Sequence, residues 1–302
     1  MNYLVISDND SFSDSISSKI KQLEKSAKII QVFFKKSEVK KFTKKIEELT
    51  LCIIYSENES SFSEQSKLRI ANACGYAIAK DILVITNLKF LENISLFSSE
   101  NFRYFSTDNQ IFDFIKQQYD HINITNEKRI AKKRLLEKGI PFTSDCFATY
   151  IAKNKTEICD LFISAGIDIN SRDESGTSML NVAVRNDNED FVKQFLSLGA
   201  DINSVSEDRG YTPVMDAVWR GNLEITKLLV KKGAELNTIN KEGQTNLVLA
   251  VGADKNDICK VLVEHGADPD IKDQMGMSAY GYATLFRKEK LIEILKPYHK
   301  EN

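Results

Sequence analysis

A repeat of 33 or 34 residues in the second half of the chain is the feature that most constrains its fold. A glycine followed by alanine or isoleucine and then an acidic residue recurs at Gly166, Gly199, Gly233 and Gly266. About ten residues after each of them, a second series falls at Gly176, Gly210, Gly243 and Gly276. Two series with one period indicate a tandem array of units, each too small to bury its own apolar side without a neighbour.

The third unit shows how each repeat can fold. Thr212 can cap a helix whose first position is Pro213, where the missing amide hydrogen costs nothing. After a turn at Gly221, apolar residues at helical spacing predict a second helix over residues 223–230. Gly233 can end that helix in a left-handed conformation. We therefore predict a pair of helices per unit, followed by a polar hairpin.

This pattern resembles the ankyrin repeat family, whose motif Gly-x-Thr-Pro-Leu-His-x-Ala-Ala is similar to residues 210–218, Gly-Tyr-Thr-Pro-Val-Met-Asp-Ala-Val. The resemblance implies an ankyrin-repeat solenoid of five repeats over residues 139–302. The first unit, with Asp145 as its predicted helix cap, and the last, with Arg287 where the turn glycine belongs, are degenerate, as terminal repeats often are. The resemblance also implies that a concave groove binds another protein.

Six residues are predicted to face this groove. Trp219, the sole tryptophan, follows the small residues of the first helix of its unit, and the resemblance implies that this position is exposed along the groove. An exposed aromatic side chain there would be a binding anchor. Packing of its ring against a neighbouring repeat is the alternative. The other candidates, each of which could also be an ordinary solvated surface residue, are Arg185, Tyr211, Asp216, Arg220 and Lys241. A preformed surface of this kind limits the ordering cost of binding.

The first half lacks the repeat and alternates apolar strand-like runs with amphipathic helical ones. The predicted strands are Tyr3–Ser7, Lys28–Phe34, Leu51–Tyr55, Ile82–Thr86 and Arg103–Phe105. The predicted helices lie near Phe12–Glu24, Ser37–Leu49, Ser63–Lys80 and Asn109–His121. This order predicts an α/β domain over residues 1–122, a five-stranded parallel flavodoxin-like sheet in three layers. Residues 123–138 are predicted to form a helical connector.

The opening segment Tyr3-Leu-Val-Ile-Ser-Asp-Asn-Asp10 is similar to response-regulator receivers, in which carboxylates after the first strand hold a magnesium ion. The resemblance implies a cation site at Asp8 and Asp10, although capping of the next helix is the favoured interpretation. Ser56 and Glu57 stand where a phosphate-accepting aspartate is expected. A phosphorylation switch of the usual kind is therefore not predicted.

The domain is also similar to TIR-like and nucleoside deoxyribosyltransferase-like domains, through Tyr55-Ser-Glu-Asn58, Glu64 and Ala71-Asn-Ala-Cys-Gly-Tyr-Ala77. This resemblance implies that Glu64 acts on the ribose of a bound nucleotide. A first-turn glutamate that complements the helix dipole is the favoured interpretation. Three functions stay open. The first is an interaction scaffold with a non-catalytic α/β domain, and the second is a nucleotide- or nucleoside-processing enzyme (a TIR-like NADase or a deoxyribosyltransferase-like enzyme) regulated or targeted by its repeats. The third is a pseudo-receiver that senses no phosphate but dimerises.

Composition narrows the classes of partner. The chain has 41 basic and 43 acidic residues, so no overall field favours nucleic acid or an anionic membrane. Five cysteines without a CxxC pair predict free thiols, and neither a metal nor a cofactor is predicted. The start of the chain does not resemble a signal peptide, and no apolar run approaches roughly 18 residues. We therefore expect a cytoplasmic protein, and the sequence does not define its oligomeric state.

Overall fold

The computed structural model describes residues 2–8, 10–33, 49–92, 94 and 100–300. They divide into two compact units, Met1–Ile130 and Ala131–Asn302. The predicted helix at Ser37–Leu49 lies outside the described residues, apart from its last position.

The first unit contains a parallel sheet of five strands. The strands are β1 Asn2–Ser7, β2 Lys28–Phe33, β3 Leu51–Tyr55, β4 Leu83–Thr86 and β5 Phe102–Tyr104. The helices are α1 Asp10–Leu23, a short 3-10 helix Glu59–Ser61, α2 Glu64–Ile78, α3 Lys89–Glu92 and α4 Asp108–Glu137. The strand order is β2-β1-β3-β4-β5, which is the flavodoxin-like order. The predicted fold class is confirmed, and α4 is one helix that also covers most of the predicted connector.

The central strands are apolar throughout because helices cover both faces of the sheet. Successive side chains of a strand point to opposite faces. Leu4 and Cys52 therefore belong to one buried cluster, which includes residues of α2. Val5 and Ile53 belong to the other, which includes residues of α1 and α4. A sheet with two apolar faces gives the predicted three layers.

The second unit contains five helix pairs. They are α5 Ser144–Ala152 with α6 Thr156–Ser164, α7 Met179–Arg185 with α8 Glu189–Ser197, α9 Pro213–Arg220 with α10 Leu223–Lys231, α11 Asn246–Gly252 with α12 Asn256–Glu264, and α13 Ala279–Leu285 with α14 Glu289–Leu295. The first helix of each pair, called here the inner helix, packs against the inner helix of the next pair. One continuous apolar core runs through all five pairs. The predicted solenoid of helical repeats is therefore confirmed.

Hydroxyl side chains start the inner helices. Those of Ser178, Thr212, Thr245 and Ser278 each accept a hydrogen bond from a backbone amide of the first helical turn. In the first pair Thr143 has this role, and it accepts from the amide of Cys146. The prediction that Asp145 is the cap was wrong, because α5 begins before it. The Asp145 carboxylate instead accepts a hydrogen bond of 2.7 Å from the amide of Glu174 in the following hairpin.

The turn between the two helices of each pair contains one residue in the left-handed conformation. These residues are Asn154, Asp187, Gly221, Asp254 and Arg287, with φ between 51° and 75°. Only glycine adopts this conformation without steric cost, although asparagine and aspartate tolerate it better than other residues. The turn was therefore recognisable from sequence in the third pair, and it has the same backbone in the other four.

Candidate partner-binding surface

Three of the six predicted contact residues, Arg185, Trp219 and Arg220, lie at the C-terminal ends of inner helices. In each of the last four repeats, the ninth and tenth residues after the hairpin glycine occupy this end. They are Arg185 and Asn186, Trp219 and Arg220, Gly252 and Ala253, and Leu285 and Phe286. We call these eight residues the end row. Packed helices lie roughly 8–10 Å apart, so equivalent positions on successive inner helices form a continuous row.

Trp219 is exposed, as the sequence predicts. Its side chain has 52% of its surface accessible to solvent. The ring contacts Tyr211 edge to face, with the ring centroids 6.4 Å apart. The guanidinium of Arg209 lies 5.9 Å from the Tyr211 centroid. Tyr211 therefore supports the Trp219 ring on one side, while about half of the Trp219 surface stays exposed to solvent.

Two of the six predicted contact residues are buried instead of solvated. Tyr211 is only 6% exposed and Asp216 only 2%. Tyr211 supports Trp219, and Asp216 lies on the face of α9 where the second repeat has Val182 and the fourth has Leu249. The prediction that Tyr211 and Asp216 are solvent-exposed was wrong, because neighbouring repeats cover these positions.

Arg185 is the centre of a polar network that joins the second repeat to the third. Its Nε donates to Oδ2 of Asp216 at 2.9 Å. Its two terminal nitrogens donate to the two carboxylate oxygens of Asp208 at 2.8 and 3.0 Å, and one of them also reaches the Ser206 hydroxyl at 2.9 Å. Asn181 donates to Asp216 at 2.8 Å. Arg185 thus has its hydrogen-bonding groups occupied within the chain.

The two carboxylates that face Arg185 have opposite pKa shifts. The hydrogen bond from Arg185 lowers the pKa of Asp208 well below its usual range, although partial burial works against this shift. Burial raises the pKa of Asp216, although Arg185 and Asn181 work in the opposite direction. One guanidinium therefore favours ionisation of a partly exposed carboxylate and also offsets the burial of a second one.

A longer hairpin makes this network possible. In three hairpins a side-chain oxygen of Asp173, Asn240 or Asp273 accepts two backbone amides of the turn. The hairpin of the third repeat has Ser206 in this place and one more residue before its glycine, Gly210. The extra residue brings Asp208 to Arg185, and the backbone turn closes between Ser206 and Gly210 at 3.0 Å.

The other two predicted contact residues reach solvent. Arg220 has 48% of its side chain exposed and donates to Asp187 at 2.7 Å. Lys241 is exposed on the hairpin of the fourth repeat, where its amino group donates to the carbonyl of Glu207. The solvent-exposed candidates are therefore Trp219, Arg220 and Lys241, whereas Arg185 is mostly covered.

The sequence analysis missed two exposed apolar residues of the end row. Leu285 and Phe286 are each 61% exposed. The Phe286 ring is nearly parallel to that of Tyr282, with centroids 6.1 Å apart, and the Tyr282 hydroxyl donates to Asp273 at 2.6 Å. Both residues occupy the repeat positions of Trp219 and Arg220, so the repeat offset of Trp219 was the signal that could have identified them.

Between these residues, the fourth repeat contributes only small side chains to the end row. Gly252 is the last residue of α11, and Ala253 follows it. A Cβ atom placed on Gly252 would have no neighbouring heavy atom within 4 Å. Gly252 also lacks a left-handed backbone. Neither the backbone conformation nor the packing of this chain therefore requires a glycine here.

Of the candidate residues of the first unit, Asp8 and Glu64 have described side chains, and these do not belong to a cluster of three or more acidic groups among the described residues. Asp8 accepts hydrogen bonds from the Ser56 hydroxyl and, at 3.2 Å, from the amide of Glu57, where the neighbouring strands β1 and β3 end. Asp10 begins α1, and its side chain lies outside the described part of the chain. Glu64 begins α2, is 89% exposed and pairs with Lys67 at 2.9 Å. These contacts fit the helix-start interpretation of Glu64.

Neither a metal-binding cluster nor a membrane-spanning helix occurs among the described residues. They contain no group of three or more His, Cys, Asp or Glu side chains that could hold a metal ion. No helix among them is both long and apolar enough to cross a bilayer. The five cysteines are not paired in disulfides.

Comparison with known proteins identifies the repeats. Residues 146–240 match the family model for three ankyrin repeats, and residues 242–274 match that for a single ankyrin repeat. An ankyrin repeat-containing protein of Treponema pallidum (strain Nichols) is 34% identical over 183 residues, which is 61% of each chain. This alignment is longer than the whole second unit, so it extends into the first.

Two animal proteins are similar over shorter stretches. The B-cell lymphoma 3 protein homolog of Mus musculus is 30% identical over 139 residues, 46% of this chain and 30% of its own. Palmitoyltransferase ZDHHC13 of Homo sapiens is 33% identical over 94 residues, 31% of this chain and 15% of its own. The chain thus spans less than two thirds of each of these relatives. The matched residues, 146–240 and 242–274, are ankyrin repeats.

Proposed function

We propose that this protein is an interaction module or scaffold that binds another protein through the end row of its ankyrin repeats. One observation carries the proposal: Trp219, Leu285 and Phe286 are 52%, 61% and 61% exposed at equivalent ends of inner helices. Single exposed apolar residues are common, but large apolar side chains grouped on one surface mark interaction sites. Ankyrin repeats in general bind other proteins, which supports this assignment.

The surroundings of Trp219 also support a role as a binding anchor. Tryptophan is enriched among the residues that contribute most to binding, and such residues are usually surrounded by a polar rim. Arg220, next to Trp219 in the third repeat, and Lys241, on the hairpin of the fourth repeat, are exposed polar groups. Tyr211 and the packed inner helices fix the position of the Trp219 ring. Little side-chain freedom is then lost when a partner binds.

A capture experiment with two matched variants tests this function. The full-length protein, Trp219→Ala and Leu198→Ala would each be used to retain partners from a lysate of the source cells. Leu198 is a suitable control because it is 47% exposed but follows α8, the second helix of its pair, and so lies outside the end row. We expect partners to be lost with Trp219→Ala and kept with Leu198→Ala, at unchanged thermal stability. Equal retention by both variants would contradict the proposal.

We further infer that the N-terminal α/β domain is non-catalytic. The exposure of Glu64 and its pairing with Lys67 support this inference, since a catalytic carboxylate is usually placed in a cleft. Incubation of the full-length protein with NAD or with deoxynucleosides, followed by chromatography, tests it. Turnover that disappears in Glu64→Gln would show that the domain is an enzyme and that the repeats regulate or target it.

A further inference from the structure

The end row contains a gap at the fourth repeat. Trp219 precedes it on α9, Leu285 and Phe286 follow it on α13, and Gly252 and Ala253 form its floor. We call this gap the repeat-4 notch. The two flanking helices are separated by α11, so their axes lie roughly 16–20 Å apart. After the flanking side chains are allowed for, this width suits one bulky side chain of a partner.

The glycine at the floor of the notch has no explanation within the chain itself. Glycine destabilises a helix relative to alanine, and at a helix end it is normally used for a left-handed backbone. Gly252 does not have that backbone, and its missing Cβ leaves open space. In the third repeat, by contrast, Gly221 has a φ of 75° and the Lys255 side chain lies over it. Space above Gly252 is therefore a feature that a partner can use.

The rim of the notch has an excess of positive charge. The end-row and turn segments 219–222, 252–255 and 285–288 contain four basic residues, Arg220, Lys255, Arg287 and Lys288, and one acidic residue, Asp254. Lys288 lies 3.6 Å from Asp254, and Arg220 pairs with Asp187 of the second repeat. Within the part of the chain that the structure describes, Lys255 and Arg287 have no carboxylate within 4 Å. Two cations beside an apolar gap favour an acidic partner.

We propose that the repeat-4 notch binds an acidic peptide segment of a partner protein. One bulky apolar side chain of the segment lies over Gly252, between Trp219 and Leu285. Carboxylates that flank this side chain face Lys255 and Arg287. The inference rests on the proposed function and adds the chemistry of the partner. Apolar walls and a basic rim together favour a segment that has both a bulky apolar side chain and carboxylates, whereas a flat or neutral surface would not distinguish such a segment.

A change at Gly252 tests the notch without disturbing the fold. Gly252→Leu fills the open space, whereas Gly252→Ala adds one methyl group and serves as the matched control. A displayed library of random dodecapeptides would be selected on the immobilised full-length protein. We expect enrichment of peptides with a large apolar residue among acidic ones. The affinity of a selected peptide, followed by Trp219 fluorescence, should fall at least tenfold in Gly252→Leu and less than twofold in Gly252→Ala.

The role of charge is tested by combining Arg287→Glu with Lys255→Glu, which should weaken binding of the same peptide at least tenfold. Added salt should weaken binding of this peptide to the original protein. Enrichment of basic peptides, or equal binding by Gly252→Leu, would overturn the inference. So would a concentration-dependent dimer that Gly252→Leu abolishes, since a second copy would then occupy the notch.

The capture experiment separates this inference from the proposed function. If Trp219→Ala loses its partners while Gly252→Leu keeps them, the interaction surface stands and the notch is wrong. If neither variant loses a partner, both proposals are wrong.

Discussion

The third and fourth repeats have the same framework but use its positions differently. Both begin their inner helix with a capping threonine, Thr212 or Thr245, and both end with an exposed turn. In the middle of that helix the third repeat has a buried Asp216 where the fourth has Leu249. At its end the third repeat has an exposed tryptophan, whereas the fourth has a glycine over open space. The charged residue Asp216 therefore helps to hold the repeats together, whereas Gly252 is not required by the fold.

The comparison teaches that repeat position, more than residue type, separates framework from surface. Asp216 lies against its neighbouring repeat and is satisfied by Arg185 and Asn181. In the end row, Trp219, Leu285 and Phe286 are exposed, so we expect these side chains to vary without affecting the stack. Arg185 is the exception, because its hydrogen bonds to the third repeat make it part of the framework. Three predictions test this division. They change a buried helix middle, the hairpin carboxylate that bonds to Arg185, and a free helix end.

The largest effect is expected from Asp216→Ala. The change removes a buried carboxylate and leaves Arg185 and Asn181 each without one partner, which should cost about 2–3 kcal/mol of unfolding free energy. Urea unfolding of the full-length protein, followed by the fluorescence of Trp219 in the same repeat, would measure this loss. Asp216→Asn keeps an acceptor for Asn181, so it should lose less. A urea midpoint equal to that of the unaltered protein would show that the network contributes little.

A smaller effect is expected from Asp208→Asn, and it should depend on pH. The lowered pKa of Asp208 means that its ionised form stabilises the fold. This contribution is complete above the ordinary carboxylate pKa of about 4 and is lost as the pH falls through the lowered value. We expect Asp208→Asn to be less stable by about 1 kcal/mol at pH 7, and the difference to narrow below pH 4.

Urea midpoints of the two proteins between pH 7 and pH 2 would check this. Asp216 also faces Arg185, but its pKa is raised, so its protonation on acidification begins earlier and acts in both proteins. A difference in midpoint that stays constant down to pH 2 would contradict the assigned role of Asp208.

Much of the fold was predictable, because it depends on local pattern. The strand Leu51–Tyr55 is an unbroken apolar run, and its bounds match the prediction. The burial of Asp216 could not be predicted in the same way, since its partner Arg185 is 31 residues away. The extra residue of the third hairpin could have been predicted from the sequence. The two glycine series each contain one 34-residue spacing, and these spacings overlap only between Gly199 and Gly210.

The residues of the candidate binding surface also divide into those that the sequence predicted and those that it did not. The exposure of Trp219 was predicted, because it is the sole tryptophan and its repeat position is known from the family pattern. The sequence did not identify Leu285 or Phe286, which lie at the end of α13 and are exposed in the structure. Gly252 could not be recognised at all, since one glycine among thirteen shows its open surroundings only in three dimensions.

The smallest expected effect, from Gly252→Ala, is the sharpest test of the free helix end. Alanine favours a helix over glycine by about 1 kcal/mol in a helix interior, and roughly half of that is expected at a last helical position. Since the new methyl group would meet no neighbour, we expect a gain of about 0.5 kcal/mol, measured as a higher urea midpoint. Leu249→Ala, in the buried middle of the same helix, should instead be clearly destabilised. A loss of stability in Gly252→Ala would mean that the chain itself uses this glycine, and the contrast between the two repeats would then no longer separate framework from surface.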